Sequence, residues 1–231
     1  MSISKEGAVC AIIVAAGKGN RMGLGFNKVL APVCGIPVLS WTIRAFVVSR
    51  LVDRITLVIS PDDEDAIREI TGCFQQEIIV VQGGPERQQS VYNGLKRVPS
   101  DCGIILIHDG ARPFVDDGII KRSIDNARLH GAACAGMPVK DTIKILDHEG
   151  SIIDSPDRKS LWVAQTPQSF RRDIIISAHE NAIKQGIKGT DDSMLVESMG
   201  IKVMMFEGSY RNIKITSKED LAYAEAIADS I

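Results

Sequence analysis

Ala11-Ile-Ile-Val-Ala-Ala-Gly-Lys-Gly-Asn-Arg-Met-Gly-Leu-Gly25 decides how this chain is read. The uncharged apolar run from Val9 to Ala16 stops abruptly in a loop that holds Gly17, Gly19, Gly23 and Gly25. An apolar run without polar alternation reads as a strand covered on both faces, and here it empties into a glycine-rich turn. Glycine lets a backbone approach a ligand closely and present its N–H groups to an anion. Lys18 and Arg21 sit inside the loop and Lys28 just beyond it. A polyphosphate cradle is therefore the expectation, with a plain strand-to-helix turn as the alternative. Two familiar glycine loops fail. Counted from Gly17 the sixth position is Met22, which breaks the dinucleotide fingerprint, and Lys18 is followed by Gly19 rather than the Ser or Thr of a P-loop.

Working outward, Ile36 to Val48 carries apolar residues at helical spacing with Pro37 in the first turn. Arg54–Ser60 reads as a strand, Pro61 opens a helix running to about Gly72, Glu77–Gln82 is a third strand, and Glu86 to Val98 is a helix. Gly103–Asp109 is a fourth strand, Asp116 to Gly131 a helix and Ala132–Val139 a strand of small residues. Alternating strands and helices with continuous apolar strands predict a parallel sheet covered on both faces. The fold class is α/β: a single Rossmann-like domain over residues 1–231 with a mostly parallel central sheet. In such a sheet ligands bind outside the carboxyl ends of the strands, which gathers Lys18, Arg21, Arg87, Asp109 and Arg112 at one edge.

The pattern changes at Asp141–Ser155, where apolar and polar residues alternate about a Glu149-Gly150 turn. That is a hairpin, so a β-hairpin arm is expected to protrude at about residues 138–160. Two strands alone are marginal in water, so the arm needs a surface to pack on, and a second subunit is the candidate. Beyond it, Leu161–Phe170 returns to the sheet, Asp173–Gln185 is a helix, Thr190-Asp-Asp-Ser starts another, and Ile201–Phe206 and Asn212–Thr216 read as strands. Ser217, with an acidic residue three positions on, caps the last helix.

A length of 231 residues accommodates one large domain, and a formal net charge of -2 provides no basic field for nucleic acid. Cations that hold an anionic ligand must then be placed locally. Cys10, Cys34, Cys73, Cys102 and Cys134 show no C-x-x-C spacing and read as reduced thiols, mostly buried. No membrane span is expected, and the first residues lack an apolar secretory segment, so the expected address is the cytoplasm.

Asp109, at a strand tip, is a candidate Mg²⁺ ligand, or else caps the following turn. His108 is a candidate base or a structural histidine, whereas His130, His148 and His179 are expected on helix or turn surfaces. In Gly83-Gly84-Pro85-Glu86-Arg87-Gln88-Gln89-Ser90 glycines again lead onto a helix start, for ligand recognition or simple capping. Asp157-Arg158-Lys159 lies at the base of the arm.

Ala15–Gly23 with Lys28, Gly83-Gly-x-x-Arg-x-x-Ser90, His108-Asp-Gly-Ala-Arg-Pro113, Pro138–Thr142, Ala164–Gln168, Thr190–Asp192 and Ile213–Thr216 occur in that order. This series resembles the 2-C-methyl-D-erythritol 4-phosphate cytidylyltransferases, a branch of the sugar nucleotidyltransferase-like fold. The resemblance implies transfer of a cytidylyl group from CTP to 2-C-methyl-D-erythritol 4-phosphate with release of pyrophosphate, using Mg²⁺ or another divalent cation, in non-mevalonate isoprenoid synthesis. It implies that Arg21, Lys28 and Lys214 attend the triphosphate and the transition state, and that Asp109 holds the metal. Ala15, Ala16, Gly17, Gly19, Gly83, Arg87 and Ser90 would surround the nucleotide. Thr142 and Arg158 would hold the acceptor phosphate in the neighbouring subunit of a homodimer, Arg158 with a catalytic role, and Thr166, Thr190 and Asp191 would line the acceptor site. Three residues depart from the family pattern: Asn27 replaces a common proline, Val29 a common glutamine and Gly110 a common alanine. Asn27 is expected to loosen the loop that aims Lys28. The rival readings are a cytidylyltransferase for another polyol phosphate such as ribitol 5-phosphate, and a non-catalytic nucleotide-binding regulator.

Overall fold

The computed structural model describes residues 7–17 and 25–231. A seven-stranded sheet in the order β11-β7-β10-β6-β1-β4-β5 forms its centre. The strands are β1 (Ala8–Val14), β4 (Arg54–Ile59), β5 (Ile78–Gln82), β6 (Cys102–Asp109), β7 (Ala132–Pro138), β10 (Trp162–Arg171) and β11 (Met204–Glu207). β1 pairs in parallel with both β4 and β6, so the stretch that opened the sequence reading is an interior strand.

Its lack of alternation has a direct cause. Val9, Ala11, Ile13 and Ala15 face one core cluster, shared with Leu39, Ile43 and Phe46, while Cys10 and Ile12 face another, shared with Val91, Phe170 and Ile175. Both faces are dry, so both residue parities are apolar. The first face is covered by α1 (Val38–Ser49) and α4 (Asp117–His130), with α2 (Glu64–Gly72) beside them. The second is covered by α3 (Arg87–Leu95), α5 (Arg172–Gln185) and α6 (Asp192–Glu197). Burial of Leu39, Ile43 and Phe46 contributes roughly 1.5–3 kcal/mol each. α4 is delimited as expected, with the Asp116 carboxylate accepting from Ile119 N–H at 2.7 Å and Gly131 stopping the helix at φ +86°.

The arm accounts for the two antiparallel pairings of the sheet. Its short strands β8 (Ile145–Leu146) and β9 (Ile152–Asp154) pair with each other. The chain leaves β7 and comes back at the same edge without crossing the sheet, so β10 must run antiparallel to β7 and β6. The arm consequently emerges at the carboxyl edge, where ligands are expected.

Four local expectations are corrected. Ile36-Pro37 is not helical but forms β3, paired with β2 (Pro32–Val33) ahead of α1. Residues 212–216 are not a strand. Ile213 and Ile215 do alternate, but they reach down to Val33, Val38 and Phe114 beside α7 (Lys218–Ala228). Cys10 and Cys102 form a disulfide, so the reduced-thiol reading applies to Cys34, Cys73 and Cys134, of which the first two are exposed. The paired cysteines lie on neighbouring strands and face the same core cluster, a juxtaposition that spacing cannot display. His179 is fully buried rather than on a surface, since Ile175, Ala178, His179 and Ala182 make up the inner stripe of α5.

Candidate active site

A cleft of about 500 Å³ opens at the carboxyl edge, lined in part by Ala15, Gly17, Lys28, Arg87, Asp109 and Lys214. The ends of β1 and β6 supply Gly17 and Asp109, the loop after β5 leads to Arg87, and the segment following β11 carries Lys214. The edge rule therefore assembles these residues from positions up to about two hundred apart in sequence. Ala16 and Ser90 also line the cleft. Among the described residues, a Cβ on Gly17 would meet nothing within 4 Å. Gly83 is glycine for an internal reason, because a Cβ there would collide with the Ala16 side chain and lie 2.9 Å from Ser90 Oγ. Ser90 spends its hydroxyl on the same turn, accepting from Gly84 N–H at 3.0 Å.

Asp109 is the electrostatic centre. Its Oδ2 lies 2.7 Å from Lys214 Nζ and 3.8 Å from Arg112 Nε, and its Oδ1 lies 3.3 Å from Arg87 Nε. Burial acts to raise its pKa, but Arg87, Lys214 and Arg112 outweigh it and hold the carboxyl well below the usual range. Burial likewise opposes the charge of Arg87, which Asp192 and Asp109 together raise above the ordinary arginine value.

His108 is excluded as a base by its own bonds. Fully buried, it places Nε2 3.1 Å from Arg112 C=O, which can only accept, so the proton resides there. Nδ1 then accepts from Thr166 Oγ at 3.1 Å, and Thr166 Oγ accepts from Asp109 N–H at 3.0 Å. Burial pushes the His108 pKa down to about 4. An unfolded histidine titrates near about 6.5, so between those values the unfolded chain binds a proton that the folded chain does not. Stability of the ligand-free protein is thus expected to fall as pH drops through this window, by up to about 3 kcal/mol. Thermal melts from pH 7 to 4.5 check this, and an unchanged slope in His108→Gln would refute the assignment.

Asn27 reverses the expectation of a loosened loop. Buried, it donates from Nδ2 to Ala15 C=O at 2.8 Å and to Asp63 Oδ2 at 2.7 Å, and its Oδ1 accepts from Val29 N–H at 3.3 Å. These bonds tie the end of β1 to the single 3₁₀ turn Lys28–Leu30 that carries Lys28. Val29 fills the first core cluster, where a glutamine would need a polar partner. Asn27→Ala strands Ala15 C=O and is expected to cost about 1–3 kcal/mol, measurable by chemical denaturation, together with activity.

The remaining expected site residues separate by position. Thr166 is buried with its hydroxyl committed as above, and Asp191 caps α6, accepting from Met194 N–H at 2.9 Å and Gln168 Nε2 at 2.8 Å. Thr190 is exposed. Thr142 and Arg158 are exposed on the arm, Arg158 donating to Lys140 C=O at 3.1 Å, and neither lines this chain's own cleft. Lys18, Gly19 and Arg21 lie outside the described residues. The sequence reading missed Asp192, whose buried carboxylate holds Arg87 at 2.7 Å. Its place inside the Thr190–Asp192 segment was the available signal.

The sequence model of the 2-C-methyl-D-erythritol 4-phosphate cytidylyltransferases matches residues 9–230. The chain belongs to this family. The cytidylyltransferase of Caldanaerobacter subterraneus subsp. tengcongensis is 48% identical over 220 residues, covering 94% of this chain and 97% of that relative. That of Clostridioides difficile is 48% identical over 218 residues, covering 94% and 92%. Among solved structures, the 4-diphosphocytidyl-2C-methyl-D-erythritol synthase of Anaerococcus prevotii superposes with a TM-score of 0.89 at 33% identity, covering 98% of both chains. The Thermus thermophilus cytidylyltransferase superposes with a TM-score of 0.79 at 31% identity, covering 96% of this chain and 99% of that one. The mixed, mostly parallel sheet is thus the cytidylyltransferase fold, and the family's enzymes are the frame in which the cleft is read.

Proposed function

We propose that this enzyme transfers the cytidylyl group of CTP to 2-C-methyl-D-erythritol 4-phosphate, releasing pyrophosphate and forming 4-diphosphocytidyl-2-C-methyl-D-erythritol for non-mevalonate isoprenoid synthesis. The observation that carries the reading is the meeting of Gly17, Lys28, Asp109 and Lys214 in one cleft of a chain from this family. A phosphate monoester has a second pKa of about 6 and arrives largely dianionic, so attack on the α-phosphorus needs no general base. His108, closed on both ring nitrogens, agrees with that. An acceptor oxygen bonds to the α-phosphorus as the bond to the bridging oxygen breaks and pyrophosphate departs. Lys28, Lys214 and Arg21 offset the charge that develops, while Ala15, Ala16, Gly17 and Gly19, with Gly83, Arg87 and Ser90, seat the nucleotide.

Asp109 suits a divalent cation. It is ionised and lines the cleft as a carboxylate donor beside the residues offered to the triphosphate. That donor set fits Mg²⁺, which takes one or two carboxylates and completes its shell with phosphates and water. When bound, the ion supplies charge neutralisation at the phosphates.

The arm supports a shared site. Ile145, Leu146, Ile152 and Ile153 on it, and Val163 at its base, are exposed apolar side chains on a hairpin too small to stand alone. In a homodimer, Thr142 and Arg158 of one subunit would hold the acceptor phosphate in the other's cleft, near Thr166, Thr190 and Asp191. No helix among the described residues is long and apolar enough to cross a membrane, and we assign the enzyme to the cytoplasm.

Pyrophosphate release should be measured with each of the four nucleoside triphosphates against methylerythritol, ribitol and glycerol phosphates in Mg²⁺. CTP with the methylerythritol phosphate is expected to dominate, and silence with every pair overturns the reading. Mixing an Arg158→Ala variant with a Lys28→Ala variant should restore part of the activity, and no rescue after confirmed subunit exchange removes the shared site.

A further inference from the structure

Behind the cleft a second layer of charge runs into the protein. The Asp192 carboxylate divides its oxygens, with Oδ2 at 2.7 Å from Arg87 Nη1 and Oδ1 at 3.1 Å from His179 Nε2. Its backbone N–H donates to Gln168 Oε1 at 3.1 Å. Arg87 turns a different nitrogen, Nε, toward Asp109 Oδ1 at 3.3 Å, which leaves Asp109 Oδ2 to Lys214.

We propose that His179 and Asp192 are positioning residues for the transfer, fixing the Arg87 guanidinium plane and thereby the orientation of the Asp109 carboxylate toward Lys214 and the cleft. The inference rests on the cytidylyltransferase reading of that cleft for its kinetic consequence. A guanidinium is planar, so fixing Nη1 and the plane also fixes the direction in which Nε points. A buried carboxylate bonded through one oxygen retains a rotation, and one bonded through both does not. His179 removes that rotation from Asp192.

His179 is itself held firmly. It lies on the inner stripe of α5, fully buried, with its ring nearly parallel to that of Tyr92 at 6.2 Å between centroids. Tyr92 belongs to α3, the same helix that begins with Arg87. Ring contact thus sets α3 against α5, and the Arg87–Asp192 pair sets the start of α3 against the start of α6. A pair that served only to anchor α6 would leave Arg87 no reason to span two carboxylates. The span joins the buried layer to the cleft, and outer-layer contacts of this kind typically change affinity or activity by about ten- to a hundredfold when removed.

The test compares His179→Leu, which removes the donor, with His179→Gln, which restores an N–H near the Nε2 position, and with Asp192→Asn. His179→Leu and Asp192→Asn are expected to lower kcat about tenfold or more and, since Arg87 also seats the nucleotide, to weaken CTP affinity by calorimetry with Mg²⁺ in the same direction. His179→Gln is expected to recover most of kcat. Equal kcat in His179→Leu and the parent overturns the proposal, as does a loss in His179→Gln as large as that in His179→Leu. If His179→Leu does not fold, Asp192→Asn decides by the same kcat and affinity criteria. A crystal structure of a folded variant provides a readout independent of turnover, in which Arg87 should leave Asp109 Oδ1. Arg87 unmoved in that structure overturns the proposal. A parent enzyme silent with every polyol phosphate would overturn the transfer reading instead, and the crystal structure would still decide whether His179 sets Arg87.

Discussion

Lys214→Ala is expected to lower turnover about a hundredfold or more, since removal of one donor aimed at developing charge costs about 2.7–4 kcal/mol in the barrier. Lys214 reaches the cleft from the segment after β11, with Nζ 2.7 Å from Asp109 Oδ2 and the side chain 36% exposed. That exposure separates function from folding. A partly solvated ammonium adds little to stability, so the variant should melt close to the parent while pyrophosphate release collapses. The deficit should appear in kcat and in kcat/KM alike, because the charge that Lys214 offsets grows as pyrophosphate leaves. Lys214→Arg should recover only part of the rate, since a planar fork does not reproduce a compact point charge on Asp109. Near-normal turnover in Lys214→Ala would remove the assignment.

Asp109→Asn is expected to damage both rate and stability. The side chain faces Arg87, Lys214 and Arg112 and is only 10% exposed, so the neutral amide leaves cations facing one another with little water to screen them. Breaking a buried pair from one side costs about 3–5 kcal/mol, and denaturant unfolding at neutral pH should register a loss of that order. The sign of the pH dependence follows from the depressed pKa of the carboxyl in the folded chain. Stabilisation from its ionised form is fully present above the unfolded value of about 3.9 and is lost only as pH falls below it. The gap between parent and variant should thus be constant near neutrality and narrow in strong acid. Turnover should fall with it, since the variant gives up both the carboxylate that orients Lys214 and the ligand offered to Mg²⁺. A variant as stable as the parent at pH 7 would overturn the electrostatic account of this cleft.

Much of the frame was legible in the residues because it follows from short-range physics. The uncharged run Val9–Ala16 marked an interior strand, since a sheet with both faces covered has no polar parity to display. Asp116 and Gly131 bracketed α4, and Ser217 with Asp220 began α7, because caps answer unpaired groups within one helical turn. The alternation in 141–155 marked the arm. Where two structural solutions share one local pattern the reading failed: Ile213 and Ile215 alternate as a strand would, yet they dock into a cluster instead of a ladder.

The sequence by itself determined the α/β rhythm, the glycine-rich stretch after the first strand, the carboxyl edge as the side on which the cleft opens and the ordered motifs of the family. Only the tertiary structure decided which of those residues face the cleft and which hold it in shape. Arg87 and Asp192 stand 105 positions apart, Asn27 and Asp63 stand 36 apart, and Cys10 and Cys102 stand 92 apart. Periodicity and capping report contacts within a turn or a pleat, whereas a buried polar group must find its partner wherever the packed layers bring one within about 3 Å. The glycine loop was visible from the first residues, and the Asn27 brace and Arg87 clamp that shape its surroundings appeared only when the sheet closed around them.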